Sequence, residues 1–312
     1  MPTKVPRNPA DYIVPLNING LEGRMLRLPA PGTKQAGNRE ILFVYGHHSS
    51  LERWWGLAQV LNRYGAVTAP DLPGFGGMDS FYKLGKKPTI DNMADYLAAF
   101  VKLRYRRDKI VVVGMSFGFV VVTRMLQRYP QLAKKVDLLV SVVGFVHKDD
   151  FKFKRRNYYL MRYGASFFSN ALPAFFAKYM LLRGPIIRMA YGMVADKHSK
   201  LKDADAEETK KRIDFEVVLW QCNDIRTYMD TTLSMFKADL CNAQVDLPVY
   251  HVAVAGDRYF DNHIVEQHLN VIFKKVHILK TKLSAHAPTI IATVEDVAPF
   301  VPQKLRRILA KS

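Results

Sequence analysis

Lys109–Gly118 reads KIVVVGMSFG, and this stretch decides the fold. The four β-branched residues Ile110–Val113 predict a short buried strand. Gly114-Met115-Ser116-Phe117-Gly118 follows at once. Phe119–Tyr129 is then apolar except at Thr123, Arg124, Gln127 and Arg128, and Pro130 ends it. The order is strand, tight turn, helix. A serine on such a turn is pushed into a strained backbone conformation. Gly114 and Gly118, two residues before and after Ser116, let the strand and helix approach without a clash. The Ser116 hydroxyl then stands at a helix N-terminus, where free N–H groups hold an anion. A Gly-x-Ser-x-Gly pattern arises by chance in plain turns as well. The flanking strand and helix are what point to a nucleophile.

Working outward, Asp11–Asn19 and Leu21–Leu28 read as an opening hairpin around Gly20 and Gly23. Ala30–Glu40 is a polar loop. Ile41–Tyr45 (ILFVY) is wholly apolar, as expected of a strand covered on both faces. Gly46-His47-His48-Ser49-Ser50 follows, then a helical stretch Leu51–Tyr64. Ala66–Ala69 is a further strand, running into Asp71-Leu72-Pro73-Gly74-Phe75-Gly76-Gly77. Thr89–Leu103 has helical spacing and Thr89 as a good N-cap. Val136–Val146 is the next strand after the Ser116 turn. Alternating strands and helices with short loops predict a parallel sheet.

From His147 to about Asp246 the alternation stops. This segment is aromatic and basic, with twelve Lys or Arg against three Asp or Glu between His147 and Lys202. It then turns acidic (DADAEE) and helical from Glu208 through Leu219 towards Phe236. Strand character returns at Pro248–Ala255, followed by a helix at His263–Asn270, a strand at Lys275–Thr281 and a basic terminal helix at Val294–Ala310.

The 312 residues suffice for one large α/β domain or two smaller ones, and the 49% hydrophobic content suits a sizeable core. Two cysteines, Cys222 and Cys241, are too few for a disulfide framework and read as free thiols. The first sixteen residues lack the apolar run of an export signal, and no run of about eighteen apolar residues occurs. A cytoplasmic protein is expected. The net charge of +18 speaks of surface potential, and no nucleic-acid motif accompanies it. Nucleic acid is therefore not expected as a partner. The aromatics of Phe151–Arg188 read first as helical core and pocket lining. The same stretch also suits weak association with an anionic membrane surface.

GMSFG between a valine-rich strand and an apolar helix resembles the nucleophile elbow of the α/β-hydrolase family. The likeness extends along most of the chain. GHHSS sits where that family has a His-Gly-x-x loop, and DLPGFGG where it has an Asp-x-x-Gly-x-Gly turn. Tyr45 departs from the pattern, standing where the family usually has a histidine that braces the loop. The resemblance implies an α/β fold with a mostly parallel central sheet of about eight strands, covered by helices on both faces. It also implies a core of residues 1–146 and 247–312, with a helical cap at 147–246 inserted after strand 6. The alternative for that segment is an extra helical layer with no role in substrate choice.

A serine hydroxyl needs a base within reach, and the base needs an acid to fix its tautomer. In this architecture the acid follows a later strand and the histidine follows the last one. The order Ser116, Asp257, His286 fits. SAHAP at residues 284–288 resembles the family's turn of small residues around the histidine. Asp261 competes with Asp257 but suits a helix N-cap better. Asp149 and Asp150 follow an earlier strand, and Asp71 reads as a structural turn residue. By likeness to the family, the oxyanion donors are the backbone N–H groups of Phe117 and His47. His47 and His48 are neighbours, but no Cys, His or carboxylate cluster joins them into a metal site. No metal or organic cofactor is implied.

The expected activity is two-step acyl transfer on a small-molecule ester with an apolar acyl group. The nucleophilic serine argues against dehalogenase or epoxide hydrolase chemistry, which would use an aspartate. C–C bond hydrolases and perhydrolases use similar triads. A non-catalytic ligand-binding member of the fold is the reading from another class.

Overall fold

In the computed structural model of the chain, Ile110–Met115 forms a strand with all six residues buried. Side chains alternate between the faces of a strand, so complete burial requires cover on both. The structure describes residues 8–32, 39–106, 109–193, 205–281, 283, 286, 291 and 293–311.

In chain order the elements are β1 (Ile13–Ile18), β2 (Leu21–Leu28), β3 (Glu40–Val44), α1 (Trp55–Asn62), β4 (Ala66–Pro70), α2 (Ile90–Arg104), β5 (Ile110–Met115), α3 (Phe117–Arg128), the short α4 (Pro130–Ala133) and β6 (Val136–Val142). Five helices follow: α5 (Arg155–Phe168), α6 (Ala171–Phe176), α7 (Gly184–Met193), α8 (Ala206–Cys222) and α9 (Ile225–Met235). Then come β7 (Val245–Val254), α10 (Asn262–Ile272), β8 (Phe273–Thr281), the short α11 (Val294–Val297) and α12 (Gln303–Lys311).

The eight strands form one sheet in the order β1-β2-β4-β3-β5-β6-β7-β8. β2 pairs antiparallel with both β1 and β4; every pairing from β4 through β8 is parallel. β4 and β5 flank β3 on opposite sides, so the strand order reverses at β3. Ligands bind at such a reversal, outside the carboxyl ends of the strands. Val44 lies opposite Gly114 in the β3–β5 register, which sets the loop after β3 beside the turn carrying Ser116. On the sheet's flank, α2 starts on a Thr89 cap that accepts from Asn92 N at 3.1 Å. It is tied to α3 by Arg124–Asp91 at 2.6 Å and Arg128–Asp95 at 2.8 Å.

Several boundaries differ from the sequence reading, each for a local reason. The strand expected to reach Val146 stops at Val142, because Val143 takes a φ of +44°. The helix expected from Glu208 towards Phe236 is two helices. Asn223 is extended and Asp224 caps α9, accepting from Thr227 N at 2.7 Å. The terminal helix is broken around Pro299 and Pro302, which cannot donate to a helical ladder. The aromatics of the helical segment divide. Phe151 and Phe153 stack on each other and meet Phe236 edge-on, but Tyr163, Phe167 and Phe175 stand in solvent. The expectation that this stretch is mainly core and lining therefore fails for α5 and α6. Their inner contacts are made by Ala174 and Ala177 together with half-buried Phe168, and by Tyr158 against Phe236. The loop at 33–38, the start of the acidic run (203–204) and the SAHAP neighbours 284, 285, 287 and 288 lie outside the described residues. Among the described residues no helix is long and apolar enough to cross a membrane.

Beneath the carboxyl ends of the strands, His251 of β7 is 2% exposed and its Nδ1 meets Ser141 Oγ of β6 at 2.9 Å. Burial pushes the imidazole down to about 4, against the weaker upward pull of Asp257. In the unfolded chain a histidine gains its proton below about 6.5. Between those values the unfolded state binds more protons, so stability falls with falling pH. We expect the wild type to lose stability relative to His251→Gln by ~1.4 kcal/mol per pH unit between pH 6.5 and 4, read from urea midpoints. A pH-independent difference would show that His251 is not held neutral.

Candidate active site

Ser116 lies between β5 and α3 with φ +49° and ψ −124°. A non-glycine residue in such a conformation costs ~1–3 kcal/mol and persists only where its surroundings hold it. Its N–H donates to Val142 O of β6 at 3.0 Å. The flanking glycines are required by packing. A Cβ on Gly114 would lie 2.8 Å from Phe119 Cα, and one on Gly118 would lie 2.3 Å from Val44 O. Gly46 presses from the other side, where a Cβ would sit 3.0 Å from Ser116 Cβ.

His286 and Asp257 meet this serine. His286 Nε2 is 3.0 Å from Ser116 Oγ, and His286 Nδ1 is 2.8 Å from Asp257 Oδ2. The other oxygen of Asp257 accepts from Tyr259 N at 2.8 Å and Phe260 N at 3.2 Å. Burial alone would raise the Asp257 carboxyl. The His286 contact and the two backbone donors outweigh it, and the carboxyl lies below its ordinary value. An ionised Asp257 accepts Nδ1–H, which leaves Nε2 bare to receive the serine proton. Tyr259 and Phe260 stand edge-on to the imidazole, each with its ring centre 5.2 Å away.

The competing carboxylates have other work. Asp261 caps α10, accepting from His263 N at 2.9 Å. Asp150 is fully buried, holding Val146 N, His147 N and the His268 ring at 2.8, 2.9 and 2.6 Å. Asp149 is exposed beside His147. Phe117 is the first residue of α3, where backbone N–H groups lack intrahelical acceptors. The rings of His47 and His48 go to different partners. His47 Nε2 lies 2.8 Å from Thr231 Oγ1 and 3.1 Å from Tyr228 O. Thr231 already donates to Thr227 O, so it accepts from His47. Burial pushes His47 down to about 3, so the ring is neutral with its proton on Nε2. His48 instead faces Glu216, at 3.6 Å, and Trp220. Among the described residues no three His, Cys, Asp or Glu side chains converge as a metal site.

The alpha/beta hydrolase fold model matches residues 40–267. The chain belongs to the α/β-hydrolase family. A search with the sequence found no match among curated proteins. Among solved structures the chain is similar to a hydrolase from Oleispira antarctica, with TM-score 0.63 and 11% identity over 92% of this chain and 94% of the other. It is also similar to the N-formylmaleamic acid deformylase of Pseudomonas putida S16, with TM-score 0.59 and 18% identity over 96% and 100%. A thermophilic esterase from Thermogutta terrifontis aligns with TM-score 0.55 and 16% identity over 95% of each chain. At such identities the likeness is one of fold.

Measured against this α/β-hydrolase pattern, the departure at Tyr45 has a structural account. The Tyr45 hydroxyl donates to Asp71, whose other oxygen accepts from Arg24 Nε at 3.1 Å. Arg24 in turn holds Glu52 at 2.7 Å. Tyr45 thus braces the loop through a phenol, from one fully buried side chain to another. Gly76 is required there, since a Cβ would fall 2.0 Å from Asp71 Oδ1. Sequence reasoning missed Arg24 and the clamp on these turns from the α8–α9 junction. Gly76 N donates to Asn223 Oδ1 at 2.8 Å, and Gly77 N to Cys222 O at 3.0 Å. No local pattern signals partners some 150 positions apart. Tyr45→Phe leaves a buried Asp71 side-chain oxygen short of a partner and should cost ~1–3 kcal/mol in urea unfolding. An unchanged midpoint would show that Asp71 does not need the phenol.

Proposed function

We propose that the chain is a serine hydrolase acting on ester-type substrates with an apolar acyl group. The observation that carries this reading is the unbroken line of hydrogen bonds from Ser116 Oγ to His286 to Asp257, at 3.0 and 2.8 Å. Ser116 attacks the carbonyl as His286 Nε2 takes its proton. The tetrahedral oxyanion is held by the backbone N–H groups of Phe117 and His47, which flank the serine from α3 and from the loop after β3. His286 then returns the proton to the leaving alcohol, and water cleaves the acyl-enzyme by the same route. Asp257 stabilises the imidazolium across Nδ1.

The apolar acyl preference is supported by the aromatic surroundings. Tyr259 and Phe260 flank His286, and Phe75, Phe117 and Tyr228 surround His47. The helical segment at 147–246 acts as the cap in this reading, because α8 and α9 sit on the turns that carry His47, His48 and Gly76. The likeness in fold to the esterase and deformylase named above is consistent with a hydrolase.

A fluorophosphonate probe should label the wild type and not Ser116→Ala. Ser116→Ala and Asp257→Asn should each lower turnover of p-nitrophenyl esters by about 10³-fold or more, whereas Asp261→Ala should cost only ~1 kcal/mol of stability. A folded wild type that takes no label would favour a ligand-binding member of the fold. Labelling with no response to any chain length would favour C–C hydrolase or perhydrolase chemistry on the same three residues.

A further inference from the structure

The outer helices of the 147–246 segment are amphipathic in the wrong sense for a buried layer. In α6 and the single π turn after it (Ala177–Leu181), the residues Leu172, Phe175, Phe176, Tyr179 and Met180 recur at the spacing of one helical face. On a core helix that face is covered. Here Leu172 is 83% exposed and Phe175 62%. The same segment buries Ala174 and Ala177, which pack on Ile225 at the start of α9. In α5 the only buried residue is Ala165, while Leu160, Tyr163 and Phe167 stand at 72%, 69% and 60% exposure. Alanines, with Phe168 and Leu182 half-buried beside them and Tyr158 against Phe236, face inward, while the larger set of rings and leucines faces water. The exposed rings are ordered among themselves: Phe175 lies 4.5 Å from Tyr179, and Tyr159 stacks on Tyr163. Isolated exposed apolar residues are common, but a contiguous set of this size marks an interaction surface.

The charge pattern selects the partner. Phe151–Met193 contains eight Lys or Arg and no Asp or Glu. Arg155, Arg156, Arg162, Lys178 and Arg183 are all exposed among the apolar residues. Among the described residues, Arg188 is the arginine of this stretch that an acid holds, Asp214 of α8 at 2.8 Å. A second copy of the chain would bring the same positive field against itself. An anionic bilayer matches both properties: rings and leucines enter the headgroup boundary while arginines and lysines meet lipid phosphates and carboxylates. With no helix able to span a membrane among the described residues, the contact is peripheral. We propose that the outer face of α5, α6 and the π turn docks the protein on an anionic lipid surface. This surface is separate from Ser116, His286 and Asp257, and the proposal stands whether or not those residues hydrolyse esters.

The test is co-sedimentation of the full chain with phosphatidylcholine vesicles carrying about one-third phosphatidylserine, against pure phosphatidylcholine. The wild type should pellet with the anionic vesicles at ~50 mM salt, and the bound fraction should fall several-fold at ~0.5 M as charges are screened. Ser116→Ala should bind as the wild type does. Leu160→Glu/Leu172→Glu/Phe175→Glu should lose at least about tenfold in partition while its circular dichroism and melting stay unchanged, because these side chains make few internal contacts. Arg155→Glu/Arg156→Glu is an independent variant expected to weaken binding without touching the apolar face. The proposal is overturned if the wild type fails to pellet at low salt, or if the triple glutamate variant binds undiminished. It is equally overturned if the face proves to be a self-association surface, seen as a concentration-dependent dimer by light scattering that the triple variant dissolves while wild-type vesicle binding is absent.

Discussion

The close approach of the α3 amino end to the carboxyl end of β3 is the constraint on which the site depends. Gly118 lies where any side chain would strike the carbonyls of Val44 and Tyr45, and Gly46 lies where one would strike Ser116. The backbone strain at Ser116 is tolerated because this packing leaves no alternative path for the turn. The strain has a geometric result: the hydroxyl is aimed past the end of the sheet, at the amino end of a helix, between two loops. A hydrogen bond 3.0 Å long to His286 then becomes available without any movement of the sheet.

The loops around that point are held from both sides. Below, Tyr45, Asp71, Arg24 and Glu52 form a chain of buried and half-buried polar groups that fixes the turn before Gly76. Above, the α8–α9 junction supplies Asn223 and the carbonyl of Cys222 to the same turn, and α9 supplies Tyr228 and Thr231 to His47. Low dielectric surroundings make each unpaired group expensive, so these contacts position the loops more firmly than apolar packing alone. The Asp257 turn is held similarly, with one oxygen on two backbone donors and the other on the imidazole.

The helical segment thus has two different sides. Its inner helices, α8 and α9, are specified by hydrogen bonds to the sheet's loops. Its outer helices contact α9 through alanines and a few half-buried rings, and present most of their rings, leucines and basic groups to solvent. Counting aromatics along the chain does not separate these cases. Phe151 and Phe167 belong to the same aromatic, basic stretch, yet one stacks within a ring cluster and the other is 60% exposed.

What the sequence by itself determined was the alternation of strands and helices, the turn at Ser116 and the order of Ser116, Asp257 and His286. Those features rest on local chemistry: β-branched runs, glycine where chains must touch, and caps such as Thr89 and Asp261. Family resemblance supplied the sheet count and the expected roles. Tertiary structure alone decided where α8 ends and α9 begins, since Asn223 breaks the helix to reach Gly76. It also decided that a phenol stands in for a bracing imidazole and that the aromatics of α5 and α6 face outward. Each of those outcomes depends on groups many positions apart, and a hydrogen bond between distant residues leaves no periodic trace in the chain that encodes it.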